Sequence, residues 1–88
     1  MLIKQHAVEL SAHGITVNGI APTVVRGDMG SHWLTNPETR QHILQRIPLG
    51  RVAEACDLAS AAVFFCGPGA SFVTGQVLYI DGGLTATQ

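Results

Sequence analysis

The 88-residue chain holds few residues whose types and spacing could support covalent or proton-transfer chemistry. His6, His13, His32 and His42 show no metal-ligand spacing, and solvated surface histidines account for them more simply than ligands do. Ser60 and Ser71 have no histidine and carboxylate arranged near them in sequence, so nucleophilic hydrolysis has no support. "GPGASF", residues 67–72, offers Gly-x-Gly, but it follows a helical run and lacks the third glycine of a dinucleotide loop. Cys56 and Cys66 share one helical run. Ten positions at about 100° and 1.5 Å each place them on different sides, about 15 Å apart along the axis. That excludes a disulfide between them and favours buried free thiols in a reducing compartment. The remaining candidate is "GIAPTVVRGDM", residues 19–29, where an apolar run ends at Pro22 and turns polar through Arg26, Gly27 and Asp28.

The surrounding elements decide what that stretch can do. Residues 1–13 place Leu2, Ile3, Ala7 and Leu10 at helical spacing, and Gly14 is a natural stop. No capping residue precedes Met1, so this helix is expected to be the end of a longer one. "ITVNGIA", residues 15–21, is β-branched and bounded by Gly14 and Pro22, which predicts a strand covered on both faces. Asn18 within it is expected to be a satisfied structural amide. Residues 23–36 read as loop, and 37–47 as a helix with Asn36 as N-cap and Pro37 at its first position. A turn at 48–51 leads to the strongest helix signal, 53–66. Leu58, Ala62 and Phe65, with Ala55, Ala59, Val63 and Cys66, make that helix apolar on more than one side, which predicts burial against two neighbours. "QVLYID", residues 76–81, predicts a second strand stopped by Gly82-Gly83.

Two strands joined through helices are most simply parallel, with a right-handed crossover. A two-stranded parallel sheet needs cover on its edges and faces, so the pattern predicts part of an α/β fold with further strands outside it. Ligands in such sheets bind beyond the carboxyl ends of the strands. Residues 23–29 are therefore the prime site, and the segment that follows, to residue 47, is expected to lie over the same edge as a lid.

Composition narrows the partners. The chain is 47% hydrophobic and 12% charged, which fits a globular protein and not a disordered one. With net charge −1 and scattered basic residues (Lys4, Arg26, Arg40, Arg46, Arg51), it has no electrostatic footprint for nucleic acid or an anionic membrane. No signal-peptide pattern opens the chain and no apolar run reaches membrane-spanning length, so it reads as cytoplasmic. So few charges on so short a chain leave apolar surface for a partner.

Taken together, "AVELSAHGITVNGIAP" and "PLGRVAEACDLASAAVFFCGPGASFVTGQVLYIDGG" resemble the carboxy-terminal segment of the short-chain dehydrogenase/reductase family. The Pro-Leu-Gly-Arg turn, Asp57, Ala-Ser-Phe-Val-Thr-Gly-Gln and Asp-Gly-Gly fall in register, over nearly the whole chain. The resemblance implies the carboxy-terminal part of a Rossmann-type doubly wound parallel sheet, with two parallel strands and about three helices. Residues 1–88 would be a partial domain: the end of the catalytic helix, the penultimate strand, a substrate lid at 23–47, an interface helix at 53–66 and the last strand at 76–81.

The family transfers hydride between NAD or NADP and a small alcohol or carbonyl. Its glycine-rich cofactor loop and its catalytic Ser, Tyr and Lys have no counterpart in this sequence: Tyr79 lies in the last strand, and no Tyr stands four positions before Lys4. Without that phenol–ammonium pair, the isolated chain is expected to be inactive and to bind no cofactor by itself. The resemblance assigns Pro22, Thr23, Val25 and Gly27 to the nicotinamide side of the cofactor site and Met29, Trp33 and Leu34 to the substrate lid. Trp33 and Leu34 could equally pack locally or at an interface. Thr23 and Gly27 depart from the family, which carries glycine at the first position and threonine at the second. A positive φ at position 23 would strain Thr there. The apolar helix and Val77–Ile80 resemble the family's subunit-contact surface, implying a homo-oligomer or association with full-length subunits. A non-catalytic interaction module of that kind is the alternative to an enzyme segment.

Overall fold

The computed structural model describes residues 2–27 and 35–88. Helix α1 spans Leu2–Leu10, strand β1 Gly19–Pro22, helix α2 Pro37–Gln45, helix α3 Ala55–Cys66 and strand β2 Val77–Ile80. Short 3-10 turns follow α1 and α3 and close the chain at Leu84–Thr87. The strands are parallel, with Gly19 opposite Val77 and Pro22 opposite Ile80. Their carboxyl ends therefore lie side by side.

Several helix boundaries have a local cause. Gly14 at φ 73° ends the first helical segment, in the left-handed region that a side chain would disfavour. Asn36 caps α2, its side chain accepting from the backbone N–H groups of Glu38 and Thr39, and Pro37 takes the first turn. At the front of α3 the Asp57 carboxylate accepts from the Glu54 N–H at 2.8 Å. A helix dipole favours that negative charge in the first turn.

Strand β1 starts at Gly19 and not at Ile15. Residues 17 and 18 still pair with the 73–76 segment, mostly through side chains: Val17 N–H donates to Thr74 Oγ1, and Asn18 donates to Val73 O and accepts from Gln76 N–H, while Gly75 N–H donates to Val17 O as the one backbone bond there. Gly75, at φ 75°, turns the opposing backbone out of ladder geometry there. Asn18 is thus the satisfied amide expected of it, one residue outside the strand.

Two expectations of burial fail. On α3, Leu58, Ala61 and Phe65 are half-buried, whereas Val63 is 71% exposed and Phe64 50%. The helix packs on one side and leaves the other uncovered. Cys56 and Cys66 are both free and both exposed, because they fall on the uncovered sides of that same helix. The buried hydrophobic residues among those described are few and small: Ala7, Ile47, Val52 and Ala70. The accessible surface, 6422 Å², exceeds by about 1,400 Å² what a compact protein of this mass presents. The radius of gyration agrees, at 15.8 Å against about 12 Å for a compact domain of this length.

Candidate functional site

At the carboxyl edge of the sheet, Thr23, Leu49, Arg51, Ala53, Asp57, Ile80, Asp81 and Gly82 surround a shallow depression of about 180 Å³. The loop leaving β1 forms one wall and the turn leaving β2 the other. This is the place that parallel-sheet geometry reserves for ligands.

The β1 loop is held by backbone bonds. Arg26 N–H donates to Ala53 O at 2.8 Å, and Ala53 N–H donates to Val24 O at 2.9 Å, a single parallel bridge between Val25 and Ala53. In such a bridge the peptide groups of residues 24 and 26 turn toward the partner, and those of residue 25 turn the other way. Among the described residues, the N–H and C=O of Val25 have no hydrogen-bond partner. They form an adjacent donor and acceptor on one side of the loop. Arg26 Nε also meets Glu54 Oε1 at 3.0 Å, an ion pair between two exposed side chains.

Neither departure from the family pattern meets a steric obstacle among the described residues. Thr23 takes no positive φ, since among the described residues only glycines do, so the threonine carries no backbone strain there. Among the described residues, a Cβ added at Gly27 would meet nothing within 4 Å. Pro22 ends β1 on its exposed side. Met29, Trp33 and Leu34 lie outside the described residues. The structure therefore brings Pro22, Thr23, Val25 and Gly27 onto one loop at the sheet edge.

The opposite wall is built from charge pairs and a glycine turn. Arg51 donates to both Asp57 oxygens, at 2.9 and 3.3 Å. The guanidinium and the Glu54 N–H together hold the Asp57 carboxyl down to about 2, and the same contact raises Arg51 above the ordinary arginine value. Asp81, 8% exposed, accepts from Thr85 Oγ1 at 2.7 Å and from the N–H groups of Gly83 and Thr85. These donors favour its ionised form and lower its pKa, and they fold the chain back after β2. Gly82 and Gly83, at φ 63° and 97°, make that reversal, and Gly82 O accepts from Leu49 N–H. Arg51, Asp57 and Asp81 are thus occupied in holding the edge together.

The Val25–Ala53 bridge and the Arg26–Glu54 pair have no local sequence signal. The bridge joins two backbones, and the charges are far apart in the chain with no periodicity relating them.

The comparisons with known proteins agree with this geometry. The family model described as enoyl-(acyl carrier protein) reductase matches residues 1–85. The A-factor type gamma-butyrolactone 1'-reductase (1S-forming) of Streptomyces virginiae is 44% identical over 85 residues, covering 96% of this chain and 33% of that protein. An Agrobacterium tumefaciens protein assigned to the 2-deoxy-D-gluconate 3-dehydrogenases, solved with bound NADP, superposes with a TM-score of 0.93 at 39% identity, over 97% of this chain and 35% of that one. 4-Hydroxyisoleucine dehydrogenase complexed with NADH superposes at 0.95 with 31% identity, over 99% of this chain and 36% of that one. The chain spans a third or less of the length of the curated relatives it matches, from 27% to 33%. With two parallel strands, three helices and these relatives over almost its whole length, the chain belongs to the short-chain dehydrogenase/reductase family and forms a carboxy-terminal part of its Rossmann-type fold.

Proposed function

We propose that this segment supplies one wall of the cofactor site in an NAD(P)-dependent oxidoreductase acting on a small alcohol or carbonyl, and that the isolated 88-residue chain has no turnover. The observation that carries the reading is the outward-facing peptide of Val25 at the carboxyl edge of the sheet. A carboxamide offers one acceptor oxygen and one donor nitrogen, and the N–H and C=O of Val25 are their complement. Thr23 sits there without backbone strain, and among the described residues nothing lies within 4 Å of a Cβ added at Gly27. NAD or NADP, when bound, supplies hydride chemistry. What this chain's residues do is hold the amide end of the cofactor and line the depression beside it.

The missing turnover follows from the sequence. It has no Tyr-x-x-x-Lys pair to exchange a proton with substrate oxygen and no glycine-rich loop for the pyrophosphate.

Grafting gives the test. This chain replaces the matching third of the Streptomyces reductase, and carbonyl-dependent NAD(P)H oxidation is followed alongside the 88-residue chain alone. We expect activity in the graft and none in the chain above a no-protein control. A folded graft that neither binds nor oxidises NAD(P)H overturns the cofactor-wall reading, and turnover by the chain alone overturns its inactivity.

A second reading, a non-catalytic module that associates with other subunits, is favoured by a separate observation. Val63, Phe64, Leu78 and Tyr79 are each 45–71% exposed on α3 and β2. The excess surface of about 1,400 Å² exceeds the roughly 800 Å² each partner buries in a standard interface and matches the per-partner share of the larger obligate ones. Homo-oligomers or mixed assembly with full-length subunits would cover it. Light scattering that showed a folded, strictly monomeric chain would remove this reading and leave the first untouched.

A further inference from the structure

We infer that Arg26 and Glu54 are positioning residues: their ion pair braces the Val25–Ala53 bridge and so holds the Val25 peptide outward before any cofactor arrives. The inference rests on the cofactor-wall reading for its purpose, but its physical content concerns this chain alone. Two backbone hydrogen bonds are all that join residues 24–26 to Ala53. A bridge of one residue has no neighbouring ladder to share strain, and it sits at the foot of a long excursion between Gly27 and Val52. Two backbone hydrogen bonds between partly exposed residues are a modest hold for such a join. The Arg26–Glu54 contact lies immediately beyond the bridge on both segments, at 3.0 Å. Arg26 follows Val25 and Glu54 follows Ala53, so the pair extends the same parallel register by one step through side chains.

Glu54 has a second constraint. Its N–H is held by the Asp57 carboxylate, which Arg51 in turn grips. The acidic partner of Arg26 is therefore anchored to the first turn of α3 and to the wall of the depression. Arg26 thereby couples the loop that carries Val25 to the opposite wall of the site. Arg26 is not among the residues that surround the depression, so its action is through position.

Amide hydrogen exchange on the 88-residue chain tests this without cofactor. An exposed ion pair is worth at most about 1 kcal/mol, or about fivefold in a local opening constant. Arg26→Gln and Glu54→Gln should each speed exchange of the Ala53 amide about two- to fivefold, after correction for intrinsic rates. The strand amides of β2 should keep their rates. The reversed pair, Arg26→Glu with Glu54→Arg, should restore protection at Ala53, which a loss of packing alone would not do. Unchanged Ala53 exchange in Arg26→Gln overturns the inference, as does no recovery in the reversed pair. An unprotected Ala53 amide in the parent chain overturns it too, because no prebuilt loop then exists. None of these outcomes depends on whether the graft binds NAD(P)H, so the two readings fail separately.

Discussion

Replacing Gly82 with alanine should cost the chain a large part of its stability. Gly82 sits at φ 63°, where a Cβ crowds the following carbonyl at about 1–2 kcal/mol. The same Cβ would lie 2.6 Å from Ile47 Cγ2 and 3.6 Å from Leu49 Cβ. Ile47 is 3% exposed, and its Cγ2 methyl sits on a β-branched carbon that cannot swing aside. Forcing a methyl into such a place costs about 1–3 kcal/mol. Together the two effects give about 2–5 kcal/mol, against a total stability of about 4–13 kcal/mol for a domain of this length. The buried core is small, so the total belongs near the lower end, and Gly82→Ala should approach unfolding. Urea denaturation followed by far-UV circular dichroism gives the difference directly. Gly27→Ala is the matched control: the change is identical, but among the described residues nothing lies within 4 Å and φ is not left-handed. It should be neutral or stabilising by up to about 1 kcal/mol, through the unfolded chain. If Gly82→Ala stays within 0.5 kcal/mol of its parent (~0.5 being the usual spread of surface changes), or if Gly27→Ala matches it, the steric reasoning is wrong.

Acid should remove the Asp57 contribution. Its carboxyl is held down to about 2 from an ordinary 3.8 in the unfolded chain. The stabilisation is thus fully present above about pH 3.8 and is lost as pH falls through about 2. The Tm gap between the parent and Asp57→Asn should narrow over that window, and a gap independent of pH would contradict the Arg51 contact as its cause. Asn36→Ala removes the acceptor for Glu38 and Thr39 N–H at the front of α2, which should cost about 1 kcal/mol locally. Faster exchange at those two amides, with the β2 amides unchanged, is the expected record; unchanged exchange at both would dismiss the cap.

The legible parts of this fold were those with local chemistry. Asn36-Pro37 marks a helix start because an amide oxygen and a fixed φ act within one turn. Gly82-Gly83 marks a reversal because two consecutive left-handed residues suit little else. The parallel pairing followed from the order of elements. Burial was less legible, since it depends on what covers an element and not on the element itself. Helix α3 has the composition of a helix packed on two sides, yet one side meets solvent here. The cysteines followed it outward. At the site, sheet geometry pointed to residues 23–29, and the family resemblance singled out Pro22, Thr23, Val25 and Gly27. It could not reach the reason Val25 faces outward, which is a backbone bridge to Ala53 and is indifferent to side-chain type.

The distribution of packing bears on which part of the chain can keep its shape unaided. Among the described residues, two of the four buried hydrophobic ones, Ile47 and Val52, flank the turn that presses on Gly82 at the carboxyl edge. That edge also holds Asp81 with its three donors, Arg51 on Asp57, and the bridge to Val25. The middle of β2 is the reverse, with Val77, Leu78 and Tyr79 each 40–58% exposed. The wall that would meet a cofactor is therefore stitched together by polar contacts within this segment, while the sheet behind it depends on cover from outside. Destabilising the sheet and loosening the wall should thus be separable. Local opening at Ala53 should respond to Arg26 and Glu54, and global unfolding to whatever comes to cover α3 and β2. A chain whose Ala53 amide exchanged only through global unfolding would show that the wall has no independence and that the edge is held by the sheet after all.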